Sequence, residues 1–331
     1  MFARWSAFAA LPFACDPGLA ADAPAGVDAR RIHPPRAPAV VLAAAPGTPV
    51  GTLVLLGDTQ RTLLFERLIG REQNEAARQA LVDKLAREEQ PALVVHLGDL
   101  VSWGSSSGEW DYFDRLFSPL TAPIHPVLGN HDYWGRDTLA LRYLRQRFPE
   151  LEPRTYRTLR HGSLGLVLTD SNLRGEAGDE QARWFAAALA GFERDPGVRG
   201  VLVFTHHPPF TNGEGREGDA WVTNALLPAF MRSRKGLLLA SGHVHGYERF
   251  ERGGKAFVVS GGGGGPRVGF RVGNDASHAA AYAPAAAGPR AFHYIVIEER
   301  AASLRVTVKC LAQGGACPGG LLEAFELPLA G

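Results

Sequence analysis

Side chains that can bind metal ions follow apolar runs at five places along this sequence. The full set, in chain order, is Asp58, Gln60, Asp99, Asn130, His131, His206, His243 and His245. Each motif alone is a common turn or a structural histidine, but separate structural roles do not explain the ordered set. Carboxylate, amide and imidazole groups are ligands of divalent metal ions, and a pair of such ions can activate water. The set therefore predicts a metal-binding site.

The predicted elements bring these residues to one edge of the molecule. Apolar stretches at 52–58, 92–100, 123–132, 198–209 and 236–250 are typical of strands, and segments with helical spacing separate several of them. Ligands bind outside the carboxyl ends of strands in open α/β sheets, so the polar residues that end these strands are expected to meet. The alternation predicts a layered α/β domain with two sheets and outer helices.

Three finer predictions concern individual elements. Helical spacing of apolar residues predicts one long helix over 62–91 and another over 179–195, with Asp179 as its N-cap. The stretch 236–250 is predicted to be a single strand. His243 and His245, which are two positions apart, would then lie on the same face.

The composition excludes several classes of protein. The chain has 331 residues, of which 45% are hydrophobic, and a formal net charge of +1 from 35 basic and 34 acidic side chains. Such a chain can bury a sizeable core, and it lacks the basic excess of a nucleic-acid-binding domain. We therefore expect a folded domain whose partner is not a nucleic acid.

The N-terminal part of the chain is expected to lie outside that domain. The apolar run over 5–14 is too short to span a bilayer and fits a secretory signal, which predicts a leader over 1–21 and export of the protein. A lipoprotein signal is an alternative, in which a lipidated Cys15 would be the only membrane anchor. Residues 22–49 are rich in Pro and Ala and are predicted to form a linker, followed by the domain at 50–331.

Two of the three cysteines lie close together near the end of the chain. Cys310 and Cys317 are separated by a short segment that contains two glycines. A small disulfide loop would suit an oxidising compartment, and a pair of reduced thiols is the alternative. No metal–thiolate spacing is present, so the sequence leaves these two states open.

The order of the five motifs resembles a known superfamily. The motifs are GDTQ at 57–60, GDL at 98–100, GNHD at 129–132, HHPP at 206–209 and GHVH at 242–245. This order resembles that of the calcineurin-like metallophosphoesterase superfamily over roughly residues 50–265. The extended motif GHVHGYER is most similar to the purple acid phosphatase branch. The resemblance implies an α/β fold, a four-layer α/β/β/α sandwich of two mixed sheets flanked by helices.

The resemblance also implies two metal ions that share one bridging carboxylate, Asp99. Asp58, Gln60 and His245 would complete the first metal site. The second would be completed by Asn130, His206 and His243. A hydroxide held between the ions would be available near neutral pH, and the net positive charge of the pair would attract a phosphate.

Four further residues receive possible roles beside the metal ligands. In the family, the counterpart of His131 contacts the phosphate and protonates the leaving oxygen, and Asp132 would orient His131 from behind. His207 follows the ligand His206 and is a candidate for a substrate contact or a structural residue. Arg267 follows a run of glycines and lies either near a substrate phosphate or in a tight turn.

Two positions depart from the patterns of related branches. Purple acid phosphatases have a tyrosinate ligand three residues after the bridging Asp, where this chain has Ser102. Phosphoprotein phosphatases have His where this chain has Gln60. Gln at this position occurs in the branch that resembles Mn-dependent ADP-ribose and CDP-alcohol pyrophosphatases. An amide oxygen is a harder ligand than imidazole nitrogen, so Mn²⁺ or Fe is expected ahead of Zn²⁺.

The leading functional hypothesis is a binuclear metal-dependent phosphohydrolase that acts on phosphomonoesters. A phosphodiesterase or nucleotide pyrophosphatase could use the same ligands, and Gln60 favours that alternative. A third hypothesis is a non-catalytic binding protein of the same fold. Replacement of metal ligands by other residue types would favour it, and no ligand position is clearly lost. The shape of the pocket decides between the first two hypotheses.

Overall fold

Two six-stranded sheets form the framework of the domain. The computed structural model describes residues 51–282, 290–312 and 317–330. The predicted leader, Cys15 and the predicted linker lie outside these residues. The helices lie on the outer faces of the two sheets, which confirms the predicted α/β sandwich of two mixed sheets flanked by helices.

The first sheet delivers three of the five motifs. From edge to edge it contains β12 (Leu321–Pro328), β11 (Ser303–Cys310), β10 (His293–Glu299), β1 (Leu53–Leu56), β2 (Leu93–His96) and β3 (Ile124–Pro126). The strands β1, β2 and β3 are parallel, whereas β10 and β11 run antiparallel to their neighbours. Because parallel strands end at the same edge, the segments that follow β1, β2 and β3 meet there.

The second sheet delivers the two histidine motifs. In spatial order it contains β4 (Arg157–His161), β5 (Leu164–Leu168), β6 (Gly200–Thr205), β7 (Gly236–Ser241), β9 (Lys255–Ser260) and β8 (Tyr247–Arg252). The four central strands are parallel, and the edge strands β4 and β8 are antiparallel. The segments that follow β6 and β7 therefore end beside each other.

Six α-helices accompany the sheets in the described part of the chain. They are α1 (Leu64–Leu68), α2 (Glu75–Lys84), α3 (Ser107–Phe117), α4 (Asp137–Arg147), α5 (Gly175–Arg194) and α6 (Leu227–Arg232). Residues of α2, α3 and α4 pack on the first sheet, and residues of α5 and α6 pack on the second. In the described part of the chain, no helix combines the length and the apolar content needed to cross a membrane.

The strand β1 shows why the motif-bearing strands are continuously apolar. Leu53 and Leu55 point into the core between the two sheets, whereas Val54 and Leu56 point into the core beneath the helices. Successive side chains of a strand point to opposite faces, so a strand buried on both sides needs an apolar residue at every position. Polar residues then begin where the strand ends, which is where the site lies.

The single helix predicted over 62–91 is wrong. The segment contains two helices, α1 and α2, followed by a π-helical turn over Leu85–Glu89. Gly70, with a φ of +82°, follows the end of α1 and has the left-handed conformation that commonly terminates helices. The predicted cap Asp179 is also wrong, because α5 begins at Gly175 and Asp179 lies inside the helix.

The predicted strand over 236–250 is divided as well. It forms β7 and β8, and His243 and His245 lie in the segment between them. Farther along the chain, Cys310 and Cys317 form a disulfide and are both buried. Of the two states that the sequence left open for these cysteines, the structure has the oxidised one.

Candidate metal centre

The predicted ligands surround a cavity at the carboxyl ends of five strands. Asp58 and Gln60 follow β1, and Asp99 follows β2. The cavity has a volume of about 190 Å³. It is lined by Gln60, Glu66, Arg71, Asp99, Asn130, His131, Trp134, Arg216, His243, His245 and Pro266. The two sheets thus bring Gln60 and His245, which are 185 positions apart in the sequence, within 3.1 Å of each other.

Two groups of side chains have ligand atoms close enough to share a metal ion. Asp58, Asp99 and His245 form one group, in which the ligand atoms all lie within 4.8 Å of one another. The other group meets the same criterion and consists of His206, His207 and His243. The structure therefore adds His207 to a candidate metal group, whereas the sequence suggested a substrate contact or a structural role.

Asp99 belongs to the first group and also reaches the second. Its Oδ1 atom is 3.4 Å from His206 Nε2, and its Oδ2 atom accepts a hydrogen bond of 3.2 Å from Gln60 Nε2. On the side of the first group, His245 Nε2 lies 3.3 Å from Asp58 Oδ1 and 3.1 Å from Gln60 Nε2. The two oxygens of one carboxylate thus face different groups, which is the arrangement that a bridging ligand requires.

Backbone carbonyls fix the orientation of two of the imidazole rings. The Nδ1 atom of His206 is 2.8 Å from the carbonyl oxygen of Leu97, and the Nδ1 atom of His245 is 2.7 Å from that of Pro266. A carbonyl can only accept a hydrogen bond, so each Nδ1 carries a proton. The Nε2 atom of each ring is then left as the ligand atom, as is usual for metal-binding histidines.

Among the candidate ligands, two buried amide oxygens have no hydrogen-bond partner in the described part of the chain. They are Oε1 of Gln60 and Oδ1 of Asn130. Buried polar atoms in native proteins are nearly always paired, so these two indicate a missing partner that accepts oxygen ligands. A half-turn of the Gln60 amide would exchange its nitrogen and oxygen and direct Oε1 toward Asp99 and His245. The residues present therefore fit a pair of metal ions.

Three candidate ligands have an unusual backbone conformation. Asp58, Asp99 and His243 have φ values of 61°, 53° and 68°, in the left-handed region. This conformation costs a residue with a side chain about 1–2 kcal/mol, and such strain concentrates at functional sites. The strand predicted over 52–58 therefore ends before Asp58, because the chain turns sharply at this motif.

Gly98 explains why a glycine precedes Asp99. Its φ is +96°, and a Cβ atom at this position would lie 2.4 Å from Nδ1 of His206. Only glycine combines this conformation with such a close approach. The first residue of the GDL motif therefore makes room for a ligand that is delivered by the other sheet.

The family assignment rests on more than half of the chain. The sequence profile of the calcineurin-like phosphoesterase family matches residues 51–247. The chain belongs to the calcineurin-like phosphoesterase family. This match confirms the predicted superfamily. Together with the phosphatase and phosphodiesterase relatives given below, the match places the protein among metal-dependent hydrolases of phosphoester bonds.

Individual relatives of this phosphoesterase are distant. A probable cyclic nucleotide phosphodiesterase of Rhodopseudomonas palustris is 29% identical over 203 residues, which cover 58% of this chain and 70% of that protein. Purple acid phosphatase 22 of Arabidopsis thaliana is 27% identical over 166 residues, which cover 47% of this chain and 38% of the plant protein. The structure of purple acid phosphatase PPD1 from yellow lupin matches with a TM-score of 0.67 at 17% identity, over 86% of this chain and 55% of that chain. The last likeness concerns the fold.

Electrostatic coupling ties Asp99 of the phosphoesterase to His206. Burial opposes the charged form of Asp99, but His206 and His131 outweigh it and hold the pKa of Asp99 well below its ordinary value. Burial likewise opposes protonation of His206, yet the Asp99 carboxylate raises the pKa of His206 to about 9. Without a metal the histidine therefore carries the positive charge that Asp99 needs. A bound cation would replace this proton, so metal binding should release protons.

The predicted role of Asp132 is corrected. Its Oδ1 atom accepts hydrogen bonds from the backbone N–H groups of Leu100 (2.9 Å) and Val101 (3.2 Å), and its Oδ2 atom accepts one from Gly129 (2.9 Å). Asp132 therefore joins the second motif to the third and does not orient His131. The partner of His131 is a backbone carbonyl that the sequence pattern cannot reveal.

That carbonyl belongs to Ser102, which replaces the tyrosinate of purple acid phosphatases. The Nδ1 atom of His131 lies 3.0 Å from the Ser102 carbonyl oxygen, and the ring of Trp134 stacks on the imidazole with a centroid distance of 3.8 Å. The hydroxyl of Ser102 donates to Glu109 instead. The Nε2 atom of His131 lies 4.0 Å from Oδ2 of Asp99, and His131 lines the cavity.

The predicted substrate contact by Arg267 is also corrected. Its Nε and Nη2 atoms donate to the carboxylate of Glu72 at 2.9 and 2.7 Å, and its Nη1 atom donates to the carbonyl of Arg290 at 2.6 Å. The guanidinium is therefore paired in both charge and hydrogen bonding. Arg267 does not line the cavity, in contrast to Arg71 and Arg216.

Arg216 is the functional candidate that sequence reasoning missed. It lines the cavity, its Nε atom is buried without a hydrogen-bond partner, and its side chain has no carboxylate partner among the described residues. The loop that carries it is held by Glu248, which accepts hydrogen bonds from the hydroxyl of Thr211 and the backbone N–H of Asn212. Glu248 belongs to the GHVHGYER motif. Its contact with the loop of Arg216 is the only feature of the sequence pattern that could have pointed to Arg216.

Proposed function

We propose that this phosphoesterase is a binuclear metal-dependent phosphohydrolase that acts on phosphomonoesters. The reach of Asp99 from the first group of ligand atoms to the second supports the binuclear part of the proposal. The first ion would be held by Asp58, Gln60, His245 and Asp99. The second would be held by Asp99, Asn130, His206 and His243, with His207 close enough to take part. When bound, such a pair supplies Lewis acidity at phosphorus and lowers the pKa of water.

The ligand chemistry favours Mn²⁺ or Fe. Gln60 and Asn130 would each contribute a neutral amide oxygen, and Asp58 and Asp99 would contribute carboxylates. Oxygen ligands suit harder ions, whereas a site made only of imidazole and thiolate would favour Zn²⁺. We therefore propose a manganese or iron centre.

His131 is proposed to act as the general acid. Its Nδ1 proton is held by the Ser102 carbonyl, so a second proton can be carried only on Nε2. Stacking on Trp134 fixes the plane of the ring. A proton on Nε2 can then pass to the oxygen of the leaving group without a change of rotamer, which is what general acid catalysis needs.

The charge of the cavity supports a monoester as the substrate. Arg71 and Arg216 both line it, and the side chain of Arg216 has no carboxylate partner among the residues that the structure describes. A phosphomonoester dianion carries one more negative charge than a diester, and a guanidinium binds such an oxygen by charge-assisted hydrogen bonds. Arg216 is thus proposed to select for the dianion.

Phosphodiester hydrolysis is the second candidate function. It is favoured by the bacterial relative named as a probable cyclic nucleotide phosphodiesterase, 70% of whose length is matched. A diester would leave the charge of Arg216 only partly compensated. The two functions therefore differ in what they require of this one residue.

The proposal is tested by turnover of two matched substrates. The kcat/KM values for p-nitrophenyl phosphate and bis-p-nitrophenyl phosphate are measured on protein loaded separately with Mn²⁺, Fe or Zn²⁺. A phosphomonoesterase should prefer the first substrate under its best metal. Tight metal loading without hydrolysis of either substrate would refute the proposal, and a preference for the diester would favour the second function. Export remains a prediction from residues 1–21, which the structure does not describe.

A further inference from the structure

The helix α1 presents an apolar face to solvent. None of its residues is buried, and Leu64, Leu68 and Ile69 are 73%, 80% and 73% exposed. Leu64 and Leu68 are four residues apart and lie on the same side of the helix, as do Phe65 and Ile69. Six large hydrophobic side chains are exposed in the described part of the chain, and four of them belong to this one short segment. Such clustering marks a surface that binds something.

This face borders the mouth of the cavity. Glu66 on the same helix lines the cavity, and so does Arg71, whose backbone N–H donates to the Glu66 carbonyl at 2.9 Å. The Glu66 carboxylate also accepts a hydrogen bond of 2.9 Å from the backbone N–H of Leu63, which holds the start of α1. One side of α1 therefore forms the cavity wall while the exposed side continues outward from it.

A fifth exposed hydrophobic residue contacts the lining of the cavity. Trp103 is 41% exposed and meets Trp134 edge to face, with ring centroids 5.8 Å apart. Glu109 accepts hydrogen bonds from both Arg61, just before α1, and Ser102, just before Trp103. These shared contacts bring Trp103 toward α1. We call Leu64, Phe65, Leu68, Ile69 and Trp103 the apolar rim.

Trp134 connects the cavity to the apolar rim. It lines the cavity, where it stacks on the ring of His131, and it meets Trp103 edge to face. A leaving group that passes Trp134 on its way out of the cavity therefore meets Trp103 of the apolar rim.

We propose that the apolar rim binds an alkyl or acyl chain in the leaving group, so that the substrates are amphiphilic phosphoesters. The inference rests on the proposed function and specifies the chemical class of the substrate. The polar end of such a molecule would be held by the metal ligands and Arg216, and the apolar end would cover side chains that are otherwise exposed to water.

The charges around the rim favour a single amphiphilic molecule over a membrane surface. Glu66 and Glu72 balance the charges of Arg67 and Arg71 around α1. An anionic membrane surface is bound by a cluster of basic residues, which this segment lacks. Five side chains can cover one chain of several methylenes, and this is the occupant to which the proposal commits.

The test uses non-hydrolysable probes, the n-alkylphosphonates from ethyl to octyl, each below its micellar concentration. Their Kd values for the metal-loaded protein are measured by calorimetry. On a half-exposed surface, each added methylene should lower Kd about twofold. The double variant Leu64→Ser/Leu68→Ser should abolish this dependence on chain length. The matched control Leu321→Ser removes an exposed leucine (48%) from β12 and should keep it.

The possible failures are distinguishable. If the protein hydrolyses p-nitrophenyl phosphate but binds all the phosphonates equally, the inference is overturned and the proposed function stands. If neither hydrolysis nor phosphonate binding occurs, both are overturned. Two other results would assign the rim to another occupant and overturn the inference. Each combines equal phosphonate binding with a further observation, which is either a dimer that the double variant abolishes or sedimentation of the protein with phosphatidylcholine vesicles.

Discussion

The backbone N–H of His243 donates a hydrogen bond of 3.0 Å to the carboxylate of Asp58, which lies 185 residues earlier in the chain. Both residues have left-handed backbone conformations. The loops that follow β1 and β7, from different sheets, are thus joined directly at the candidate metal centre. A contact of this kind supports two strained residues at once and holds the ligands in position within the protein framework.

Close approach at Gly98 should make this position intolerant of any side chain. The variant Gly98→Ala should lose stability through both its positive φ and a Cβ contact of 2.4 Å with His206. Gly70→Ala is the matched control, because Gly70 also has a positive φ but would meet nothing within 4 Å. By urea unfolding we expect a loss of about 1 kcal/mol for Gly70→Ala and at least about 2 kcal/mol more for Gly98→Ala. Equal losses would show that His206 is not confined by this glycine.

The free charge of Arg216 should set the preference for monoesters. In Arg216→Gln, kcat/KM for p-nitrophenyl phosphate should fall about 30-fold, whereas that for bis-p-nitrophenyl phosphate should fall by less than about fivefold, because a charged hydrogen bond is worth roughly 1.5–3 kcal/mol. Arg267→Gln is the control, since the guanidinium of Arg267 is paired with Glu72. If the ratio of the two kcat/KM values changed by a similar factor in both variants, Arg216 would not be the residue that sets the preference.

The amide of Gln60 should influence which metal is preferred. Gln60→His replaces an oxygen ligand by a nitrogen ligand, so the relative affinity should shift from Mn²⁺ toward Zn²⁺ while some hydrolysis remains. Competitive metal loading followed by elemental analysis measures this shift. An unchanged metal preference would count against Gln60 as a ligand.

Acid should destabilise the fold through His293, which is buried away from the cavity lining. Its ring is bound to the Ala291 carbonyl and to the Ser260 hydroxyl, both at 3.0 Å, and burial lowers its pKa to about 4. An unfolded His titrates near 6.5, so only the unfolded state gains a proton as the pH falls from about 6.5 to about 4. Stability is therefore complete above this window and is lost as the pH falls through it.

The variant His293→Gln tests this window because an amide does not titrate there. Between pH 6.5 and 5 the free energy of unfolding should fall in both proteins. The fall should be about 1–2 kcal/mol smaller in the variant than in the wild type. Both proteins are measured metal-free, so that contributions from the metal ligands cancel. Parallel stability curves would mean that His293 takes up its proton at the same pH in the folded protein as in the unfolded protein.

The sequence was sufficient for the fold and for the position of the site. Strands buried on both sides, such as β1, are apolar at every position, and parallel strands bring their carboxyl ends to one edge. The order of the motifs then gave the superfamily. Asp58, Gln60, Asp99, His243 and His245 meet because of this topology, which does not depend on details of any one loop.

The errors concern loop conformation and long-range pairing. A strand pattern cannot show that Asp99 has a positive φ, because side-chain type hardly constrains a single turn. The sequence leaves a substrate contact open for Arg267 because its partner Glu72 lies 195 residues away in the chain. Arg216 was missed because its loop carries no motif and is placed by a hydrogen bond between Asn212 and Glu248.

Metal stoichiometry by elemental analysis, measured together with hydrolysis of p-nitrophenyl phosphate, tests whether Asp99 bridges two ions. The wild type should hold about two Mn²⁺ or Fe ions per chain. Asp99→Asn should lose at least one ion, and its kcat/KM should fall by more than about 100-fold. A wild type that is fully active with a single ion, or an Asp99→Asn variant that keeps two ions and full activity, would contradict a bridging role for Asp99.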